Sequence, residues 1–260
     1  MPHVPSLTRR HFLRTLAVAG AGGVGACKLS SATSAFEGQE RLTSRAKAPT
    51  LSITPGLHPL GIAGGRDAVL HVPASYHPSE PLPLVVLLHG AGGAATSWFG
   101  SYGARGDAHR FFMLAPESRS ATWDVVTGTF SWDVQYIDVA LAWTFQHCAV
   151  DPGKIALAGF SDGASYAISL GVANGDLFSR IVAYSPGFFR ESAARGQPPI
   201  WVSHGTNDVV LPTNTTSRTI VPYFRGRGYT VELTEFDGGH EVPAAISDAA
   251  LAWLANGWRS

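Results

Sequence analysis

The fold is decided by Lys154-Ile155-Ala156-Leu157-Ala158-Gly159-Phe160-Ser161-Asp162-Gly163-Ala164. A short apolar run leads into a G-x-S-x-G sequence, and a helix-like run follows from Ala164 to Ala173. A serine on a sharp strand-to-helix turn lifts its hydroxyl above the sheet edge, and flanking glycines let nearby backbone pass where a Cβ would clash. Ser161 is therefore the candidate nucleophile. In a chain with 29 glycines the pentapeptide alone is weak evidence, so its partners must decide.

Outward from this turn, short apolar runs alternate with longer amphipathic ones, the pattern of a mostly parallel, twisted sheet with helices on both faces. Leu57 to Ile62 and Ala68 to Pro73, separated by Gly64-Gly65-Arg66-Asp67, read as an antiparallel hairpin. Leu84 to Leu88 is continuously apolar, as a strand buried on both faces should be, and it ends at the glycine turn His89-Gly90-Ala91-Gly92-Gly93. A helix around Ala104 to His109, a strand from Phe111 to Ala115 and a long loop from Pro116 to Ser131 follow. Long loops at strand ends often carry function. Ile137, Leu141, Phe145 and Cys148 share one helical face, and Asp151-Pro152-Gly153 is expected to end that segment. Arg180 to Tyr184, Ile200 to Ser203 and Tyr229 to Phe236 read as strands. Ile220 to Phe224 and Val242 to Leu254 read as helices. Without an internal repeat, residues 51–260 count as one catalytic domain.

Acyl transfer needs a histidine within reach of the serine and a carboxylate that fixes the histidine tautomer. Asp208, in His204-Gly205-Thr206-Asn207-Asp208, and His240, after Gly238-Gly239, both follow predicted strands and so fall on the same sheet edge as Ser161. They are the candidate acid and base. Asp208 as a cap of the turn through Pro212, Asp237 as rival acid and His204 as rival base are the alternatives. His89 is read as shaping the glycine turn rather than as a base. The negative charge developing on the substrate oxygen needs preorganised N–H donors. The backbone N–H groups of Asp162 and Ala91 are assigned to it, with Gly92 as fallback. The Asp162 side chain is expected to cap the following helix, where the dipole favours a negative charge.

These four motifs, in this order, resemble the phospholipase/carboxylesterase branch of the α/β-hydrolases and the related polyhydroxybutyrate-depolymerase-like esterases, over roughly residues 55–258. The resemblance implies a serine nucleophile at Ser161, an aspartate at Asp208 orienting His240, and no metal or cofactor. One position departs from the pattern: the residue after the nucleophile is often glutamine or asparagine in these relatives and is Asp162 here. The implied reaction is hydrolysis of short-chain or aryl carboxylic esters. A serine peptidase or thioesterase on the same fold, and a non-catalytic lipid-anchored binding protein, are the competing readings. The connection from Ser185 to Pro199 is too short for a helical lid. Trp98, Trp123, Trp132 and Phe188, with Phe130 and Phe189, are expected to wall the substrate pocket.

Composition agrees with a globular core-former: 45% hydrophobic and 15% charged residues. Nineteen basic residues balance nineteen acidic ones, so no net field draws the chain to nucleic acid, and the expected partner is a small-molecule ester. The first residues differ from the rest. Arg9, Arg10 and Arg14 precede the apolar run Leu16 to Ala26, and Thr8-Arg9-Arg10-His11-Phe12-Leu13 resembles a twin-arginine export motif. Residues 1–27 are thus expected to be a signal peptide. Val24-Gly25-Ala26-Cys27 resembles a lipobox that would place a lipid on Cys27, with a cut near Thr33-Ser34-Ala35 as the competing site. Residues 28–50 are expected to form a flexible linker before an exported catalytic domain. Cys148 is the other cysteine, and it reads as a buried small hydrophobe.

Overall fold

The structure is a computed structural model that describes residues 40–259. The expected signal peptide, Cys27 and the first part of the expected linker lie outside the described residues.

Eight strands form one sheet in the order β1-β2-β4-β3-β5-β6-β7-β8. The first two, β1 (Gly56–Pro59) and β2 (Val69–Val72), pair antiparallel, as the sequence predicts for this hairpin, and β2 is also antiparallel to β4 (Phe112–Ala115). The remaining pairings, through β3 (Leu82–Leu88), β5 (Val150–Phe160), β6 (Arg180–Tyr184), β7 (Ile200–Gly205) and β8 (Val231–Phe236), are all parallel. The α/β class with a mostly parallel sheet is therefore correct.

Period-two alternation along β3 assigns the two faces. Leu84, Val86 and Leu88 enter one layer with Ile137, Leu141 and Phe145 of α3 (Trp132–His147) and with Tyr166 and Leu170 of α4 (Asp162–Ala173). Val85 and Leu87 enter the other, with Trp98 and Tyr102 of α1 (Thr96–His109) and with Ala250, Leu251 and Leu254 of α6 (Ala244–Gly257). Beside α4, Ile220, Val221 and Phe224 of α5 (Ser217–Arg225) cover Ile181, Ala183, Ile200 and Val202. A short helix, α2 (Asp124–Thr127), interrupts the long loop. The 185–199 connection contains no helix.

Three boundaries differ from the sequence reading. Helix α1 starts eight residues before the expected Ala104. Gly100, Gly103 and Gly106 depress its propensity, and packing of Trp98 and Tyr102 against the sheet overrides them. Asp151-Pro152-Gly153 does not break the chain between elements, because it lies inside the outer end of β5. The linker expectation for residues 28–50 fails over its second half. Arg41 donates to the Ala173 carbonyl (2.8 Å), and Arg41 and Arg45 both pair with Asp176. The Leu42 N–H donates to Asn174 Oδ1 (2.9 Å), the Leu42 side chain is buried, and the N–H groups of Thr43 and Ser44 both donate to Asp138 Oδ1. The hydrogen bond from Arg41 leads the influences holding the Asp176 carboxyl well below the usual carboxylate range. A charged, aperiodic stretch looks like a linker because its partners lie more than ninety residues away in the chain.

Cys148 is fully buried at the end of α3, and desolvation pushes its thiol up to about 12.

Candidate active site

Strand β5 delivers Ser161 at the sheet edge with φ 58° and ψ −120°, a conformation costly for a residue with a Cβ. Its N–H donates to the Tyr184 carbonyl on the neighbouring strand (2.9 Å), which fixes the turn. Both flanking glycines are dictated by close approach. A Cβ on Gly159 would lie 2.1 Å from the Gly163 carbonyl oxygen, and one on Gly163 would lie 2.3 Å from that of Leu88. Helix α4 therefore starts directly against the end of β3, where the glycine turn begins.

His240 Nε2 lies 2.8 Å from Ser161 Oγ, and His240 Nδ1 lies 2.6 Å from Asp208 Oδ2. Because the carboxylate can only accept, the network assigns the proton to Nδ1 and leaves Nε2 free to accept from the serine. Asp208 is fully enclosed by donors. Its Oδ1 accepts the N–H groups of Val210 and Leu211 (2.8 Å each), and its Oδ2 accepts from His240 and from His204 Nε2 (3.1 Å). Burial alone would raise this carboxyl, but the donors from Leu211, His240 and Val210 outweigh it and hold it below its usual value.

Asp208 thus does grip the turn before Pro212, and it holds His240 at the same time. Asp237 instead accepts from the Asn207 side chain (2.7 Å). His204 is fully buried; its Nδ1 faces the Ser217 hydroxyl (2.6 Å) and its Nε2 also reaches the Leu211 carbonyl (2.7 Å). Desolvation leads in lowering its pKa, so it stays neutral. It sits behind the carboxylate, not beside the serine. The histidine four residues before Asp208 was the one signal for this supporting role, and the sequence could place it only as a competitor of His240.

Gly92 gives its N–H to Ala121 O (2.6 Å) and Gly93 gives its N–H to Gly90 O (3.0 Å), whereas the N–H groups of Gly90 and Ala91 meet no acceptor among the described residues. His89 shapes the turn as expected: Nδ1 meets Gly90 O (2.7 Å), and Nε2 accepts from Ser118 N–H (3.0 Å) and faces Arg66 (3.2 Å). Asp162 occupies the first turn of α4 without capping it; Oδ2 instead accepts the Thr122 hydroxyl at 2.6 Å.

The expected aromatic wall is only partly assembled. Trp98, 7% exposed, lines a cleft of ≈ 380 Å³ with Tyr102, Phe160, His240 and Val242. Trp123 is 0% exposed, and its Nε1 donates to the His89 carbonyl (2.8 Å), so it braces the turn from within the core. Phe130 lies edge-on to Tyr166 in that same layer. Trp132 is 70% exposed beside Ile62, Arg119 and Val139, away from the serine cleft. Phe188 packs against the α3/α4 layer, and Phe189 makes tilted ring contacts with Tyr223 and Phe224 in a separate cavity. Their common loop character suggested convergence, but loop side chains also close cores. Phe160 was missed although it stands inside the pentapeptide: its ring lies 4.8 Å from that of His240. No group of three metal-ligating side chains is disposed to hold an ion among the described residues.

The model of the family described as "Putative esterase" matches residues 63–244. Feruloyl esterase C of Emericella nidulans is 27% identical over 230 residues, which cover 75% of this chain and 82% of that protein. Among solved structures, esterase PE8 superposes with a TM-score of 0.59 at 21% identity, covering 79% of this chain and 99% of its own. A ferulic acid esterase of Anaeromyces mucronatus, in complex with ferulic acid, gives 0.59 at 19% identity, with 73% and 84% covered.

Proposed function

The chain belongs to this esterase family and is a carboxylic ester hydrolase, and from that premise we propose that Ser161, His240 and Asp208 are its catalytic residues. Ser161 Oγ attacks the ester carbonyl carbon while His240 Nε2 takes its proton, and Asp208 holds the Nδ1–H and the resulting imidazolium. The N–H groups of Asp162 and Ala91 receive the oxyanion. Collapse expels the alcohol, which leaves with the proton from His240. Water then attacks the acyl-enzyme, its proton passes through His240 back to Ser161 Oγ, and the carboxylic acid departs. The observation that carries this reading is the unbroken relay of 2.8 Å and 2.6 Å from serine to carboxylate at one sheet edge.

The acyl group is placed in the cleft between Trp98, Tyr102, Phe160 and Val242. Its flat aromatic walls favour short acyl or aryl acyl esters, and the feruloyl esters named for the Emericella nidulans relative fall in the second class. We further propose that residues 1–27 direct export, by the twin-arginine motif or with a lipid on Cys27, and that the catalytic domain begins near Arg41. No helix among the described residues is long and apolar enough to cross a membrane.

The test is Ser161→Ala, assayed on p-nitrophenyl acetate and methyl ferulate with a fluorophosphonate probe in parallel. A drop in kcat of at least about 10⁴-fold with loss of labelling is expected. Retained turnover in the folded variant overturns the assignment.

A further inference from the structure

A carboxylate beside an oxyanion site opposes the charge that the site must stabilise, and Asp162 carries one on the very residue whose N–H is assigned to that charge. Helical side chains lean toward the helix N-terminus. An unrestrained Asp162 side chain would therefore lean toward Ser161 and the developing oxygen.

The long loop resolves this conflict. Residues 121–123 touch both halves of the assigned oxyanion site: Ala121 O accepts the Gly92 N–H (2.6 Å), Thr122 Oγ1 donates to Asp162 Oδ2 (2.6 Å), and Trp123 Nε1 donates to His89 O (2.8 Å). The outer two bonds fix the loop against the glycine turn, so the Thr122 hydroxyl is presented from a rigid base. We propose that Thr122 is a positioning residue that draws the Asp162 carboxylate aside and keeps its charge off the oxyanion. The proposal rests on Ser161 as nucleophile and on the Asp162 N–H as oxyanion donor. It explains how an aspartate is accommodated directly after the nucleophile.

The test is a double-mutant cycle on the full chain, with kcat and KM for p-nitrophenyl acetate normalised to sites titrated by a fluorophosphonate, so that only folded, reactive enzyme is counted. Thr122→Val keeps the shape and removes the donor. It should lower kcat by about tenfold, with KM within about twofold, because the penalty falls on the transition state. Thr122→Ser, which keeps the hydroxyl, should restore the rate to within about threefold of the parent. In an Asp162→Asn background, Thr122→Val should change kcat by less than about twofold, since no charge is left to restrain. An equal loss in both backgrounds would make Thr122 a structural anchor only and overturn the proposal, as would no loss in either. These outcomes are separable from failure of the nucleophile assignment, which Ser161→Ala reads independently.

Discussion

Gly205 and Gly239 meet backbone to backbone: a Cβ on Gly205 would stand 2.2 Å from the Gly239 carbonyl oxygen. The loops carrying Asp208 and His240 leave adjacent strands, β7 and β8, and this contact sets their spacing. Asn207 N–H to Gly238 O (3.0 Å) and Thr206 N–H to Phe236 O (2.8 Å) continue the seam. Gly205→Ala should therefore separate acid from base. Overpacking of this kind costs about 1–3 kcal/mol, measurable by urea titration. Esterase activity should fall far more steeply than that destabilisation accounts for; a stable, fully active variant would refute the seam.

His204 and His240 both reach Asp208 Oδ2, but only His240 also reaches the serine. His204→Phe should lower kcat by about tenfold and leave fluorophosphonate labelling detectable, while His240→Ala should cost about 10⁴-fold or more. Steady-state assays of the pair distinguish a supporting histidine from the base. Equal losses would exchange their roles.

The three tryptophans expected around the substrate should separate into three phenotypes. Trp98→Ala should change the butyrate-to-acetate ratio of kcat/KM by about tenfold by enlarging the cleft. Trp123→Ala should instead cost about 3–5 kcal/mol of stability by emptying the core beneath the glycine turn. Trp132→Ala should alter stability by no more than about 0.5 kcal/mol and leave small-ester kinetics unchanged. An acyl-chain series together with thermal melts reads all three.

Stability should fall on mild acidification. Burial is the leading cause that lowers the pKa of His71, His89, His109 and His204. An imidazole depressed in the folded state takes its proton more readily when unfolded. The stability it provides is therefore complete above a pH of about 6.5 and is lost as pH falls below that value. Asp133 acts in the opposite sense: burial raises it to about 6, so stability due to this group declines as pH rises from about 4 to about 6. Four imidazoles act against one carboxyl, and the urea midpoint should be lower at pH 5 than at pH 7. Asp133→Asn should steepen that dependence. A flat profile in the parent protein would refute the dominance of the buried imidazoles.

The strand ends bearing Ser161, Asp208 and His240 were legible in the sequence because each polar residue closely follows a strand-like run and has a glycine within the three positions before it, a pattern imposed by local geometry. What the sequence concealed depends on distant partners: Thr122 on Asp162, and Arg41 and Arg45 on Asp176. Trp123 and Trp132 show the limit most plainly. They lie nine positions apart, one just before α2 and the other at the start of α3, yet one is sealed and the other is open to solvent, and composition cannot tell them apart.

Cys148 gives the folded body a built-in clock. Its thiol sits at the inner end of α3 with an ionisation pushed up to about 12, so a disulfide reagent finds almost no thiolate there while the chain is closed. Each opening that exposes it converts one hidden sulfur into a fast-reacting one. On a chain carrying Cys27→Ser, the colour released by such a reagent would count excursions from the native state directly, without denaturant and without an added label.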